Sequence, residues 1–331
     1  MPAISTSHAW PCIRKKIALR STSAVGGVAL AVCILSGSTF TTFAKLLSSS
    51  LSAASLLFVS ELLTAFFVLF SFGVVPVFRA FVGVRRQDAV WLIAMAACSG
   101  VLGPLLLFSG LSFTTAINAN FFGRTDILFL IVLAHVTLRE AFTRAHALSL
   151  ATIAIGIVTI SLHGFTEGIS LKIGDVLIIG SAFGYALGAI IFRGKLKHIE
   201  PHIALFARSS IALTVFFLIS PFLHHPFIDE ISAMPARLLP ALIGFAFLSR
   251  FLNSVTYYMA LDRLKVSTVT IVGTLDIVCA TAFAFLLLGE AVEWYHVLGG
   301  ICIITGNILF EYLGNHDNTH IHAKQLKHHI R

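Results

Sequence analysis

Apolar runs of about 20 residues follow one another along almost the whole chain. Wound as helices, each is long enough to cross a hydrocarbon core ~30 Å thick. The runs predict ten spans, at roughly 25–47, 52–72, 90–110, 115–135, 145–163, 174–192, 202–222, 237–260, 266–288 and 294–313. Polar and charged residues gather in short connections between them. The longest connection, from Pro221 to Arg237, carries Pro226, Asp229, Glu230 and Pro235 and predicts a surface loop between spans seven and eight.

A second pattern overlies the first. Residues Leu111 to Gly156 recur without a gap as Leu261 to Gly306, and 12 of the 46 aligned positions are identical. The matches include Gly123/Gly273, Asp126/Asp276, Glu140-Ala141/Glu290-Ala291, His146/His296 and Gly156/Gly306. Apolar sequences coincide easily at Leu or Ile, but not at Asp, Glu, His and Gly in one register. The chain therefore reads as two copies of one unit.

Composition narrows the class. Of 331 residues, 57% are apolar and 11% charged, against ~25% charged in soluble domains. The expected fold is all-α and integral to the membrane, with no large soluble domain. The five cysteines, Cys12, Cys33, Cys98, Cys279 and Cys302, are scattered and form no CxxC pair. They suggest neither a disulfide framework nor a zinc site. No cofactor is indicated.

The net charge of +8 raises nucleic acid as a partner, and its placement argues against it. With the N-terminus inside, 17 of the 23 Lys and Arg fall on the cytoplasmic side, including Arg14, Lys15, Lys16, Arg79, Arg85, Arg193 and Lys197. Only Lys45, Lys172 and Arg237 fall outside, and Arg124, Arg208 and Arg250 lie within spans. That is a positive-inside signal. It places both termini in the cytoplasm of a cell whose inner membrane holds the protein. The basic-then-apolar N-terminus reads as an uncleaved first span. The His-rich tail (His316, His320, His322, His328, His329) reads as a solvated segment rather than a metal site.

Ten spans divide into two halves of five, so the second copy enters the membrane upside down. Such inverted repeats enclose a site near the midplane. The expected organisation is a cytoplasmic segment 1–24, a first repeat 25–163, a second repeat 174–313 and a tail 314–331. Gly180, Gly184 and Gly188 form a stripe on span six that invites close helix packing.

Several motifs carry a resemblance. They are Gly37-Ser38-Thr39-Phe40 in span one, Ala260-Leu261 followed by Val266-Ser267, Leu288-Gly289-Glu290 after span nine, and Gly299, Gly300, Ile301, Ile303 and Gly306 near the end. Over nearly its whole length the chain resembles the drug/metabolite transporter superfamily, specifically its EamA-type ten-span members. The resemblance implies export or exchange of metabolites or amino acids and leaves the substrate open. Two departures stand out. The proline common in spans four and nine of the family is missing here, where Asp126 and Asp276 occur. The arginine frequent in span two is missing, with Val59-Ser60-Glu61 in that region, while the second copy keeps Ala207-Arg208-Ser209.

Six ionisable residues lie within apolar runs: Glu61, Arg124, Asp126, Arg208, Arg250 and Asp276. Each would cost at least ~2.5 kcal/mol facing lipid, so all are expected to face the bundle interior. Arg124 and Asp126 point about 200° apart on a helix and need partners from other spans. Asn253, Ser254 and Tyr257 follow Arg250 at helical spacing and predict one polar stripe. Arg250, Asn253, Ser254 and Tyr257, with Arg124 and Asn120, are the candidate substrate-binding residues. Glu61, Asp126, Arg208 and Asp276 are candidates for proton coupling or for buried ion pairs. Glu140 and Glu290 read as helix-end anchors. The expectation is a secondary transporter of a small metabolite in the bilayer, with a homodimer admissible. An integral-membrane enzyme and a non-transporting scaffold or sensor remain as alternatives. No HExxH, GxSxG, aspartate-rich metal motif or phosphate loop supports the enzyme.

Overall fold

The computed structural model describes residues 22–138, 142–163, 172–222, 227–261, 263–264 and 266–310. These are helical, with no strand among them. Eight segments are long and apolar enough to cross a membrane: α1 (Ala24–Leu47), α2 (Ala53–Phe72), α3 (Arg86–Leu111), α4 (Ala116–Leu138), α6 (Ile173–Lys195), α7 (Pro201–Ile219), α8 (Ala236–Tyr257) and α9 (Ile271–Leu288). Two shorter apolar helices, α5 (His146–Ser161) and α10 (Trp294–Phe310), complete the order. Where ten spans are expected, eight helices are long and apolar enough to cross a membrane and two apolar helices are shorter, at 10–17 residues. Glu140, the N-terminal basic cluster and the His-rich tail lie outside the described residues.

The sequence repeat is repeated in backbone detail. Both α3 and α8 contain a π-helical stretch, at Ala96–Leu102 and Phe245–Leu252. In α3 the wide turn runs into Gly103-Pro104. Proline has no N–H and clashes with the carbonyl four residues back, so the helix widens before it. The matching positions of α8 are Asn253 and Ser254, and the same turn forms there without proline.

A second paired break interrupts spans four and nine. One helix ends at Gly123 and the next starts at Thr125; likewise one ends at Gly273 and the next starts at Leu275. Tight i→i−3 bonds replace α-helical ones at both places, Arg124 N to Phe121 O at 3.1 Å and Thr274 N to Ile271 O at 3.2 Å. The breaks therefore occur without the family's proline, next to the repeated glycines.

Glycines set the closest approaches. A Cβ on Gly188 would sit 2.5 Å from the Ser99 Cβ, and one on Gly184 would sit 3.2 Å from the Cys98 carbonyl oxygen. The stripe on α6 thus lies directly on the π-helical part of α3. At the α5–α10 crossing, a Cβ on Gly156 would meet Gly299 O at 2.6 Å. The connection between α7 and α8 differs from the expected open loop. It holds a short helix, Phe227–Ala233, whose Phe227 packs on Phe58 and Phe216 with ring centroids 4.6 and 5.8 Å away.

Helix ends are tied within and between the halves. Glu290 accepts the backbone N–H groups of Ala116 and Ile117 at 2.7 and 2.8 Å, occupying two donors that start α4. Lys45 donates to the carbonyls of Leu111 and, at 2.7 Å, Thr114, where α3 ends. His296 accepts from Glu293 N at its Nδ1, which leaves Nε2–H to donate to Asn118 Oδ1 at 3.1 Å.

Candidate functional site

A cavity of about 270 Å³ lies among α1, α4, α6, α8 and α9. Equivalent residues of both copies line it: Asp126 from the first and Asp276 from the second. The helix break in α4 delivers Arg124 to the same wall. There the Arg124 guanidinium pairs with Asp276 Oδ2, while Ser38 donates to Asp276 Oδ1 at 2.7 Å. The pair is partly open to the cavity, with side chains 27% and 28% exposed.

Close packing brings the remaining polar groups in. A Cβ on Gly37 would lie 2.4 Å from Asn253 Nδ2, so only glycine lets Asn253 reach the Cys33 carbonyl at 2.9 Å. Thr41 donates to Asn120 Oδ1 at 2.5 Å. Thr39 and Ser249 share a hydrogen bond at 2.7 Å. Two buried atoms of the residues lining this cavity have no hydrogen-bond partner among the described residues, Asn120 Nδ2 and Asp126 Oδ1. They are the polar atoms of this cavity left for something else to satisfy.

A second network joins α2, α7 and α8. Glu61 is fully buried. Its Oε2 accepts from Ser209 at 2.6 Å and its Oε1 from Arg250. Arg250 also donates to Ser60 at 3.1 Å, and Arg208 stands 3.8 Å from Glu61 Oε1. Across the chain, five of the six intramembrane charges thus meet partners from the opposite half. Asp126 is the exception.

The Arg250 stripe does not form one wall. Arg250 is 6% exposed and lines neither polar cavity, because its guanidinium is turned onto Glu61. Asn253 lines the first cavity, and Ser254 lines a second cavity beyond Tyr185. Tyr257 is 42% exposed and lines neither. The π-helical turn ends at Leu252, so it breaks the 3.6-residue spacing only between Arg250 and the residues after it, while Asn253 and Tyr257 keep α-helical spacing and Tyr257 lies one turn further along. Arg124 and Asn120 do line the first cavity, and Arg208 lines the second one. Sequence reasoning missed Ser38, Thr41, Ser249 and Tyr185. Ser38 sits inside the Gly-Ser-x-Phe motif, and Tyr185 lies between two glycines of the α6 stripe. Those were the available signals.

Two like halves of apolar helices around a polar chamber define the class as a polytopic membrane protein of the transporter type. The EamA-like transporter family matches residues 24–162 and 172–312. The chain belongs to that family. It is 25% identical over 234 residues to an uncharacterized transporter of Methanothermobacter thermautotrophicus, spanning 70% of this chain and 67% of that protein. It is 29% identical over 227 residues to one of Archaeoglobus fulgidus, spanning 67% and 76%. With the uncharacterized transporter YcxC of Bacillus subtilis it shares 24% over 254 residues, 73% of this chain and 80% of that one. A solved crystal structure aligns with a TM-score of 0.59 at 16% identity, covering 89% of this chain and 99% of the other, and shares the fold. The family and these relatives are transporters rather than enzymes, and the chain is integral to a membrane.

Proposed function

We propose that this membrane transporter moves a small polar solute across the cytoplasmic membrane by alternating access, as an exporter or exchanger. Both termini are cytoplasmic, and the two repeats sit inverted in the bilayer. The observation that carries the reading is the midplane cavity with polar walls drawn from both copies. Inverted repeats rocking about such a site expose it to each side in turn. The paired π-helical turns and the paired breaks at Arg124 and Thr274 supply compliant points at matching depth in each half. Opening the cavity along the α4–α9 seam requires the Arg124–Asp276 pair to part, and a solute that offers either partner a substitute favours that step.

Asp126 is the proposed proton carrier. Glu61 and Asp276 are each held by a guanidinium and a hydroxyl, whereas Asp126 Oδ1 has no hydrogen-bond partner among the described residues. The groups facing Asp126 in the cavity are Arg124, Asp276 and Tyr185. The test begins with a metabolite comparison of cells with and without the protein. Uptake of the solute so found into vesicles is then measured under an imposed pH gradient. Asp126→Asn should transport with little gradient dependence. Gradient dependence equal to the unaltered protein in Asp126→Asn would sink the coupling assignment.

A further inference from the structure

The six intramembrane charges sum to zero, but they do not cancel locally. The midplane cavity holds Arg124 against Asp126 and Asp276, a formal charge of −1 with all groups ionised. The second network holds Arg208 and Arg250 against Glu61, a formal charge of +1. Tyr185 lines both cavities and stands between the two centres.

Within the positive centre the two arginines are not alike. Arg250 is buried, pairs with Glu61 and donates to Ser60. Arg208 reaches Glu61 only at 3.8 Å, beyond hydrogen-bond distance, and its buried Nε has no partner among the described residues. Glu61 has already given one oxygen to Ser209 and the other to Arg250. Arg208 is therefore a guanidinium inside an apolar bundle without a full counter-charge, a costly arrangement unless a ligand completes it.

A cavity of about 250 Å³ lies against this arginine, among α3, α6, α7 and α8. Ser99 and Ser254 supply hydroxyls to its wall, and Tyr185 supplies a phenol ring. Gly100 is what admits the arginine, since a Cβ there would sit 2.5 Å from the Arg208 Cγ. The cavity runs towards Phe192 and Pro201, at the helix ends beside Lys195.

We infer that this second cavity is an anion site, in which Arg208 binds the oxyanion of a small carboxylate or phosphate. The planar guanidinium suits two oxygens of one group; the hydroxyls of Ser99 and Ser254 donate to the carbonyls of Met95 and Arg250, so Arg208 is the donor the site offers. The inference concerns binding and stands apart from the flux proposed for the midplane cavity.

The test is thermal unfolding of the purified full chain in neutral detergent. Inorganic phosphate and acetate are each titrated against sodium chloride at equal ionic strength. A saturable rise in Tm with either oxyanion is expected, and which of the two acts separates phosphate from carboxylate. Arg208→Met should weaken the apparent affinity at least tenfold, and Arg208→Lys should retain part of it. Ala189→Phe, at an exposed position of the cavity wall, should also weaken binding while leaving the guanidinium in place. A flat response of the unaltered protein to both anions overturns the assignment. So does an affinity unchanged in both Arg208→Met and Ala189→Phe. Because no transport is measured, a failure here is distinguishable from a failure of the transport reading.

Discussion

Arg124 and Asp276 come from opposite halves and meet on a cavity wall, so their bond is both a tie and a latch. About a quarter of each side chain is exposed, and water weakens such pairs. In a double-mutant cycle of Arg124→Gln and Asp276→Asn, unfolding should therefore show a coupling of ~0.5–1 kcal/mol. Glu61 is a different case. It is fully buried and neutralises Arg250, so Glu61→Gln should cost ~3 kcal/mol by stranding a buried guanidinium. Adding Arg250→Met should restore part of that loss. Denaturant midpoints of the purified variants check both statements, and a Glu61→Gln loss no larger than that of Asp276→Asn would contradict the second. The six charges were legible in the sequence as a set, because lipid penalises every one of them. Their pairing was not, because partners such as Glu61 and Arg250 lie 189 residues apart and only tertiary packing selects among three acids and three bases.

At the scale of elements, the crossing of α5 and α10 depends on bare backbone. A Cβ on Gly299 would stand 2.7 Å from Gly156 O and 2.6 Å from Ile160 Cγ1. Gly299→Val should destabilise the protein by ~1–3 kcal/mol through overpacking. Gly27→Ala, where an added Cβ meets nothing within 4 Å, should be neutral or slightly stabilising. Unfolding midpoints measured side by side test the contrast, and equal losses at the two positions would refute it. The spans themselves were readable, since unbroken apolar runs leave helices as the only way to satisfy backbone groups in lipid. Their interruptions were not. The breaks at Arg124 and Thr274 lack proline, and the π-helical turn before Asn253 has none either. The repeated Gly123/Gly273 pair marked the breaks, but glycine in a membrane helix serves packing as often as bending. The same π-helical turn separates Arg250 from Asn253 and Ser254, where regular helical spacing would have kept one face.

The molecule as a whole is two copies of one unit, joined by ion pairs, helix-end ties and glycine crossings. Between them they enclose a chamber that carries an aspartate from each copy. In the proposed cycle this chamber faces both sides of the membrane in turn. Gly123 lines it, and an added Cβ there meets no atom within 4 Å. Gly123→Cys can be placed in a background where Cys12, Cys33, Cys98, Cys279 and Cys302 are replaced by alanine or serine. A membrane-impermeant maleimide is then applied to right-side-out and to inside-out vesicles. The account predicts that the cysteine is labelled in both preparations. Labelling confined to one side of the membrane, or absent from both, would contradict it.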